Sequence, residues 1–235
     1  MQLFYSSNID ESSREYVFDK NESRHIIRVL RKKLGDVVQI TDGLGTLFEG
    51  EITNANDKRC AVNITKHSCF QKPWNYYLHI AIAPTKNNDR FEWFLEKATE
   101  IGIDEITPII CERSERKVIK LGRLEKIIQS ASKQSLKYHF PKLNAPVLFR
   151  EFITSSFNGS LFIAHCENMQ QQSLKSQLLK GVDTTLLIGP EGDFSMREIE
   201  TALASNFKPV SLGKSRLRTE TAGLVAVHSV AFTNE

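Results

Sequence analysis

The 235-residue chain lacks the features of a membrane or secreted protein. No apolar run approaches the roughly 18 residues of a membrane-spanning helix, and no basic N-terminal segment precedes an apolar stretch, so we expect no signal peptide. Its 12 glycines and 7 prolines are too few for a low-complexity chain. With 40% apolar and 25% charged residues, the composition predicts a globular protein of one large or two small domains.

Cysteine is scarce as well. The four cysteines are Cys60, Cys69, Cys111 and Cys166, and no two of them form a C-x-x-C pair. We therefore expect neither a structural metal site nor a disulfide framework. Isolated, reduced thiols are typical of cytoplasmic proteins, so we predict a cytoplasmic location.

Two common nucleotide-binding motifs are missing. Gly213-Lys214-Ser215 resembles the end of a P-loop, but Lys208 stands where that motif requires its first glycine, and Pro209 removes a backbone donor. No G-x-G-x-x-G follows a predicted strand. The sequence therefore argues against both a P-loop and a standard dinucleotide site.

Positive charge is clustered although the net charge is only +3. Residues 24–33 hold five Lys or Arg and no acid, residues 113–142 hold nine against two Glu, and residues 208–218 hold four and no acid. Each cluster alone is typical of a solvated surface. Three together favour a polyanionic partner such as nucleic acid.

The first ~70 residues are predicted to be rich in β-strands. Strand-like runs cover Asp36–Thr41, Thr46–Thr53 and Cys60–Thr65, and helical spacing covers Glu22–Leu30. Short strands at this spacing predict a small barrel, over residues 1–70, that ends near the linker 71–73.

The pattern changes after Pro73. Buried-strand candidates (Leu78–Ala83, Ile106–Ile110, Leu161–Ala164, Leu186–Ile188, Val210–Leu212) alternate with amphipathic helices, one of which begins with a capping box at Ser195–Glu198. Residues 73–235 are therefore predicted to form an α/β domain with a largely parallel sheet and helices on both faces.

Two of these strands lead into glycine-containing loops that carry charged residues. One begins at Ile188-Gly189-Pro190-Glu191-Gly192, and the other runs from Leu212-Gly213 to Leu217-Arg218-Thr219-Glu220-Thr221-Ala222. Ligands of open parallel sheets bind beyond the carboxyl ends of the strands, and glycine allows a ligand to approach the backbone closely. We therefore expect a binding site at these two junctions.

In this order and spacing the two motifs resemble those of the 16S ribosomal RNA (uracil-N3)-methyltransferase family, which belongs to the SPOUT class. His25–Arg31, the stretch Lys86…Asp89-Arg90…Lys97-Ala98-Thr99-Glu100, and Gln134-Ser135 resemble further family motifs, so the resemblance covers the whole chain. Asp193 departs from the pattern, because the family usually has a third glycine there. Ser215-Arg216 and residues 137–139 also differ from the usual residues.

The resemblance implies a PUA-like RNA-binding barrel at residues 1–70 and, at residues 73–235, a SPOUT methyltransferase domain with a C-terminal trefoil knot. It also implies a homodimer that binds S-adenosylmethionine without a metal and acts on small-subunit ribosomal RNA. The cofactor-binding residues that it implies are Ala164, His165, Ile188, Gly189, Pro190, Glu191, Gly192, Leu212, Gly213, Leu217, Arg218, Thr219 and Ala222. Its candidate RNA contacts, together with those of the basic clusters, are Arg24, Arg28, Arg31, Lys86, Arg113 and Lys137.

For the methyl transfer, we expect Arg218 to stabilise charge on the uracil oxygens and Glu220 to accept the N3 proton. Glu191 is an alternative acceptor, and Glu220 could instead be a first-turn carboxylate that favours the helix dipole. Two other functions stay open: a SPOUT methyltransferase with a different RNA target, and a non-catalytic RNA-binding or ribosome-assembly protein.

Overall fold

A computed structural model of the chain describes residues 2–167 and 171–235. The chain divides into two compact units. The first comprises Met1–Pro73 with Ser132–Phe140, and the second comprises Trp74–Ala131 with Pro141–Glu235.

The first unit is built on a five-stranded mixed sheet. Its strands are β1 (Leu3–Tyr5), β2 (Glu15–Val17), β3 (Val37–Thr41), β4 (Thr46–Asn54) and β5 (Ala61–Cys69). They lie in the order β1-β3-β4-β5-β2, with β1 parallel to β3 and the other pairs antiparallel. Phe4, Ile40 and Phe48 are almost fully buried on one side of this sheet, as alternation along strands requires.

The predicted helix over Glu22–Leu30 is wrong in its form. Helix α1 covers only Lys20–Arg24 and begins where the Asp19 carboxylate accepts from the Asn21 and Glu22 amides. A π-helical turn, His25–Val29, follows directly. A 3.6-residue apolar period cannot distinguish a continuous α-helix from one that ends in a π-helical turn, because the π-helical turn adds only one residue to a single turn.

The second unit contains an eight-stranded sheet, and every strand pair in it is parallel. Its strands are β6 (Leu78–Ile82), β7 (Glu105–Ile110), β8 (Lys142–Leu143), β9 (Val147–Leu148), β10 (Ser160–Ala164), β11 (Gln172–Ser173), β12 (Thr184–Ile188) and β13 (Lys208–Ser211). Their order is β11-β13-β10-β12-β6-β7-β8, with β9 also paired to β7. The helices are α2 (Asn88–Ile101), α3 (Leu121–Gln134), α4 (Phe149–Phe152), α5 (Leu174–Gln177), α6 (Met196–Ala204) and α7 (Thr219–Asn234).

Helices cover both faces of this sheet, so the α/β prediction is confirmed. Ile80 and Ile82 of β6 pack in one core with α2, α3, α5 and α7. Ala81, between them, packs in the other core with α4 and α6. A strand that is buried on both faces needs apolar side chains at successive positions, which accounts for the continuous apolar runs in the sequence. Within the described residues, no helix is long and apolar enough to cross a membrane.

Candidate cofactor and active site

Three neighbouring strands end together at one edge of the parallel sheet. Strand β10 lies between β12 and β13, and its last residue, Ala164, pairs with Ile188 on one side and with Val210 on the other. The loops that follow these strands therefore begin side by side, at the edge where open α/β sheets bind ligands.

A cavity of about 880 Å³ lies among these loops. All thirteen residues predicted to bind a cofactor line it. The prediction missed ten further lining residues: Cys166, Glu167, Gln171, Asp193, Val210, Ser211, Lys214, Ser215, Arg216 and, predicted only as an RNA contact, Arg113. Most of them follow predicted residues along the same loops, so extending each motif would have found them, whereas Gln171 carries no sequence signal.

The loop after β12 is a tight turn packed on a phenylalanine. The Asp193 amide donates to the Pro190 carbonyl at 2.9 Å. A Cβ added at Gly189 would lie 3.1 Å from two ring carbons of Phe194, which is fully buried. Glycine at 189 is therefore favoured by packing against the protein itself, and not only by the approach of a ligand.

This turn is held from three directions. The Arg113 guanidinium donates to the Gly192 carbonyl at 3.0 Å and to the Phe194 carbonyl at 3.2 Å. The Thr219 hydroxyl, at the start of α7, donates to the Gly189 carbonyl at 3.1 Å. The Glu191 carboxylate accepts from the Lys86 backbone amide at 2.8 Å. The position of the turn is thus fixed by other parts of the second unit.

Lys86 and Arg113, both predicted to contact RNA, have partners inside the second unit. Arg113 donates to the turn, as above, and the Lys86 ammonium lies 2.7 Å from the Glu115 carboxylate. The hydrogen bond that the Lys86 ammonium donates to Glu115 is the main cause that raises the pKa of Lys86 above its usual value. Contact with RNA by either residue stays a prediction.

The loop after β13 carries exposed cations along the cavity. Lys214, Arg216 and Arg218 are exposed and line it. Gly213 has φ +142°, and a Cβ added to it would have no neighbour within 4 Å. Its role is therefore conformational, because few other residues adopt this backbone angle.

Arg218 and Glu220 do not face the same space. Arg218 lines the cavity, whereas Glu220 is not among its lining residues and is only 7% exposed. One Glu220 carboxylate oxygen lies 3.9 Å from Nε of Arg90. Arg218 precedes α7 with an extended backbone (φ −73°, ψ 157°), whereas Glu220 lies in the first turn of the helix, so the two side chains leave the chain in different local conformations.

Glu191, unlike Glu220, lines the same cavity as Arg218. Its Oε1 accepts from Lys86, and its Oε2 is buried with no hydrogen-bond partner in the described part of the chain. An unpaired, desolvated carboxylate oxygen is costly to maintain, and such groups are common where a protein performs acid–base chemistry.

The loop after β10 supplies the third wall. His165 is buried, and burial lowers the pKa of its imidazole, against an opposing effect of the Asp193 and Glu167 carboxylates. The Gln171 amide nitrogen lies 2.9 Å from His165 Nδ1. The Asp193 carboxylate accepts from the Cys166 amide at 2.7 Å, which joins this loop to the turn after β12.

The other predicted RNA contacts belong to the first unit. Arg24 and Arg31 are exposed, and Arg28 is exposed but forms an ion pair with Asp57 at 2.7 Å. The hydrogen bond from Arg28 is the main cause that lowers the pKa of Asp57. Lys137 is half-buried. Exposed ion pairs contribute little stability, so the ion pair with Asp57 does not argue against Arg28 as an RNA contact, which stays a prediction.

No group of three His, Cys, Asp or Glu able to hold a metal occurs among residues 2–167 and 171–235.

The profile of the RNA methyltransferase domain family matches residues 72–231. The chain belongs to this family. A second profile, the PUA domain of RNA methyltransferases, matches residues 18–65. Together they confirm the predicted combination of a PUA-like N-terminal unit with a SPOUT-type α/β unit.

Three relatives of this RNA methyltransferase match over nearly their full length. A structure titled "probable rRNA-methyltransferase" from Porphyromonas gingivalis is 44% identical with a TM-score of 0.92, covering 100% of this chain and 98% of that one. A methyltransferase structure from Legionella pneumophila with bound SAM is 26% identical with a TM-score of 0.88, covering 99% and 97%. The "Ribosomal RNA small subunit methyltransferase E" of Rickettsia conorii is 26% identical over 97% of this chain and 94% of its own. These matches confirm the resemblance noted in the sequence.

Proposed function

We propose that this protein transfers a methyl group from S-adenosylmethionine to N3 of one uridine in small-subunit ribosomal RNA. The observation that carries the proposal is the single cavity lined by all thirteen predicted cofactor residues. Membership of the RNA methyltransferase family and the names of the relatives support the substrate class.

The cavity fits a cofactor of this size and chemistry. Its volume of about 880 Å³ lies within the range of small-molecule sites, about 300–1,000 Å³. Glycines 189, 192 and 213 line two of its walls, and the lack of a side chain at these positions allows a ligand to approach the main chain closely. We assign the adenine and ribose to the backbone of residues 189–192 and 212–217. When bound, S-adenosylmethionine supplies a methyl group already activated by its sulfonium, so the reaction needs no metal.

The protein has to remove the N3 proton of uracil and favour the anion that results. Arg218, an exposed cation beside the cavity, stabilises negative charge on the uracil oxygens. Of the two carboxylates considered, Glu191 is better situated to accept the proton, because it lines the cavity and Glu220 does not. In the described structure the Oε2 atoms of both residues are buried without a hydrogen-bond partner, so that feature does not distinguish them. Glu220, directed toward Arg90, fits a first-turn carboxylate that stabilises α7.

The remaining parts follow from the same proposal. Residues 1–70 act as the RNA-binding domain through Arg24, Arg28 and Arg31, and residues 73–235 act as the methyltransferase domain with a knotted C-terminal segment. The enzyme acts in the cytoplasm, where ribosomes are assembled.

The protein functions as a homodimer through helix α7. Val227 and Val230 are buried in the core of the second unit, so they fill that core. Phe232 is 61% exposed, and Leu224 and Val225 are half-buried, so these three residues remain available for a partner subunit.

Labelled S-adenosylmethionine with purified small subunits or small-subunit RNA tests the activity, and mass mapping locates the methyl group. We expect one methylated uridine, modified at N3. A protein that binds RNA but takes up no S-adenosylmethionine at near-millimolar concentration would instead be a non-catalytic RNA-binding protein.

Two isosteric variants test the proton acceptor. Glu191→Gln should lower the single-turnover rate more at neutral pH than at high pH, where uracil loses N3–H more readily. Glu220→Gln is the matched control, and its single-turnover rate should be higher than that of Glu191→Gln. The opposite ranking would make Glu220 the acceptor.

A further inference from the structure

Asp193 has a backbone conformation that usually favours glycine. Its φ is +62°, in the left-handed region. Among residues with a side chain, Asp and Asn adopt this region most readily. A glycine would satisfy the turn at least as well, so the carboxylate at this position calls for a function of its own.

The carboxylate joins two walls of the cavity. Its Oδ2 accepts from the Cys166 amide, in the loop after β10, at 2.7 Å. Its Oδ1 accepts from the Phe194 amide, in its own turn, at 2.8 Å. Hydrogen bonds to an ionised acceptor are roughly twice as strong as neutral ones, so one side chain connects the two loops firmly.

Among the described residues, residues 165–167 of the loop after β10 are anchored less firmly than the turn after β12. The turn after β12 is held by Arg113, Thr219 and Lys86, which belong to other segments. In the loop after β10, the contacts of Gln171 with His165 and Glu167 stay within the same segment. Asp193 therefore transmits the fixed position of the turn to residues 165–167, all of which line the cavity.

We propose that Asp193 is a positioning residue for the cofactor: it holds residues 165–167, which follow β10, against the turn after β12, so that these two segments form one continuous wall. The inference rests on the proposed use of S-adenosylmethionine. Because the carboxylate acts through the loop and not on the reacting atoms, its removal should weaken cofactor binding and leave the chemical step nearly unchanged.

The test compares Asp193→Gly, which keeps the left-handed backbone and removes both acceptors, with Asp193→Asn, which keeps at most one. Losing a hydrogen bond to a charged acceptor corresponds to a factor of about ten or more. For Asp193→Gly we expect about tenfold weaker S-adenosylmethionine binding, about tenfold faster exchange of the Cys166 amide hydrogen, and kcat at saturating cofactor within about twofold of the wild type. For Asp193→Asn, cofactor affinity and the exchange rate of the Cys166 amide should lie between those of the wild type and those of Asp193→Gly.

Asn206→Gly is the matched control, because Asn206 is exposed, has φ +66° and lies outside the cavity. It should leave cofactor affinity and Cys166 exchange unchanged. The inference is overturned if Asp193→Gly binds like the wild type, or if kcat falls while affinity stays constant. If Asp193→Gly does not fold, Asp193→Asn carries the same comparison.

Failure of the proposed function would look different. A wild-type protein that binds no S-adenosylmethionine would refute the function. Exchange of the Cys166 amide in the free protein would still report whether Asp193 holds the loop.

Discussion

Replacing Gly189 by alanine should destabilise the turn after β12 through a contact with Phe194. The new Cβ would lie 3.1 Å from two ring carbons and 3.2 Å from the Phe194 nitrogen. The ring cannot move away easily, because Phe194 is fully buried and its centroid lies 5.6 Å from that of Phe149. The neighbour must therefore shift by a few tenths of an ångström in a tightly packed core.

Overpacking of this kind costs about 1–3 kcal/mol. We expect the free energy of unfolding in urea to fall by that amount and calorimetric affinity for S-adenosylmethionine to fall with it. Phe194→Leu removes the ring that the new Cβ contacts. It should therefore lower the free energy of unfolding less in the Gly189→Ala protein than in the wild type, with a coupling energy of about 0.5–3 kcal/mol between the two substitutions.

Gly213→Ala supplies the contrast. Its φ of +142° strains any side chain, but no atom lies within 4 Å of the new Cβ. We expect a backbone cost of about 1–3 kcal/mol that Phe194→Leu does not relieve. The packing argument is wrong if Gly189→Ala unfolds and binds like the wild type, or if Phe194→Leu couples equally to both substitutions.

Three further predictions concern other parts of the molecule. Arg31 is exposed with φ +55°, so Arg31→Gly should keep the backbone and reduce the salt dependence of RNA binding by about one phosphate contact; an unaltered slope would exclude contact by this residue. Burial lowers the pKa of His79 below 6.5, against an opposing effect of Glu105, so the unfolded chain binds more protons and stability should fall as the pH falls below 6.5. In urea titrations, His79→Gln should flatten the dependence of the free energy of unfolding on pH. The lowered pKa of Glu105 affects that free energy in a separate range, below pH 4.5. Equal slopes of the free energy against pH for wild type and variant above pH 5 would contradict the prediction. Light scattering should find a dimer, and Phe232→Asp, at a residue 61% exposed, should shift it toward monomer without changing the secondary structure; a wild-type monomer that still methylates RNA would refute the dimer.

The sequence predicts the elements whose signals are local and repeated. The capping box at Ser195 is confirmed in both of its hydrogen bonds, and the apolar strands lie where the runs predict them. The short elements β8, β9, α4, β11 and α5 were missed, because two to four residues contain no measurable period.

Candidate site residues were predictable where the motif itself forms the loop. The direction of a side chain was not, as Glu220 illustrates: sequence proximity to Arg218 suggested a shared pocket, but the helix directs Glu220 toward Arg90. The pairing of Asp193 with Cys166 was also beyond the sequence, because 27 residues separate them and only the sheet order brings them together.

That sheet order has a consequence for synthesis on the ribosome. Strand β13 lies between β10 and β11, although both precede it in the chain. Until residues 208–211 have been made, one edge of β10 lacks its final neighbour and β11 has no strand to join. One wall of the cavity is formed by the residues that follow β13, so the nascent chain can gain affinity for a cofactor only after this last insertion. Ligand binding would then stabilise the completed sheet and no earlier intermediate.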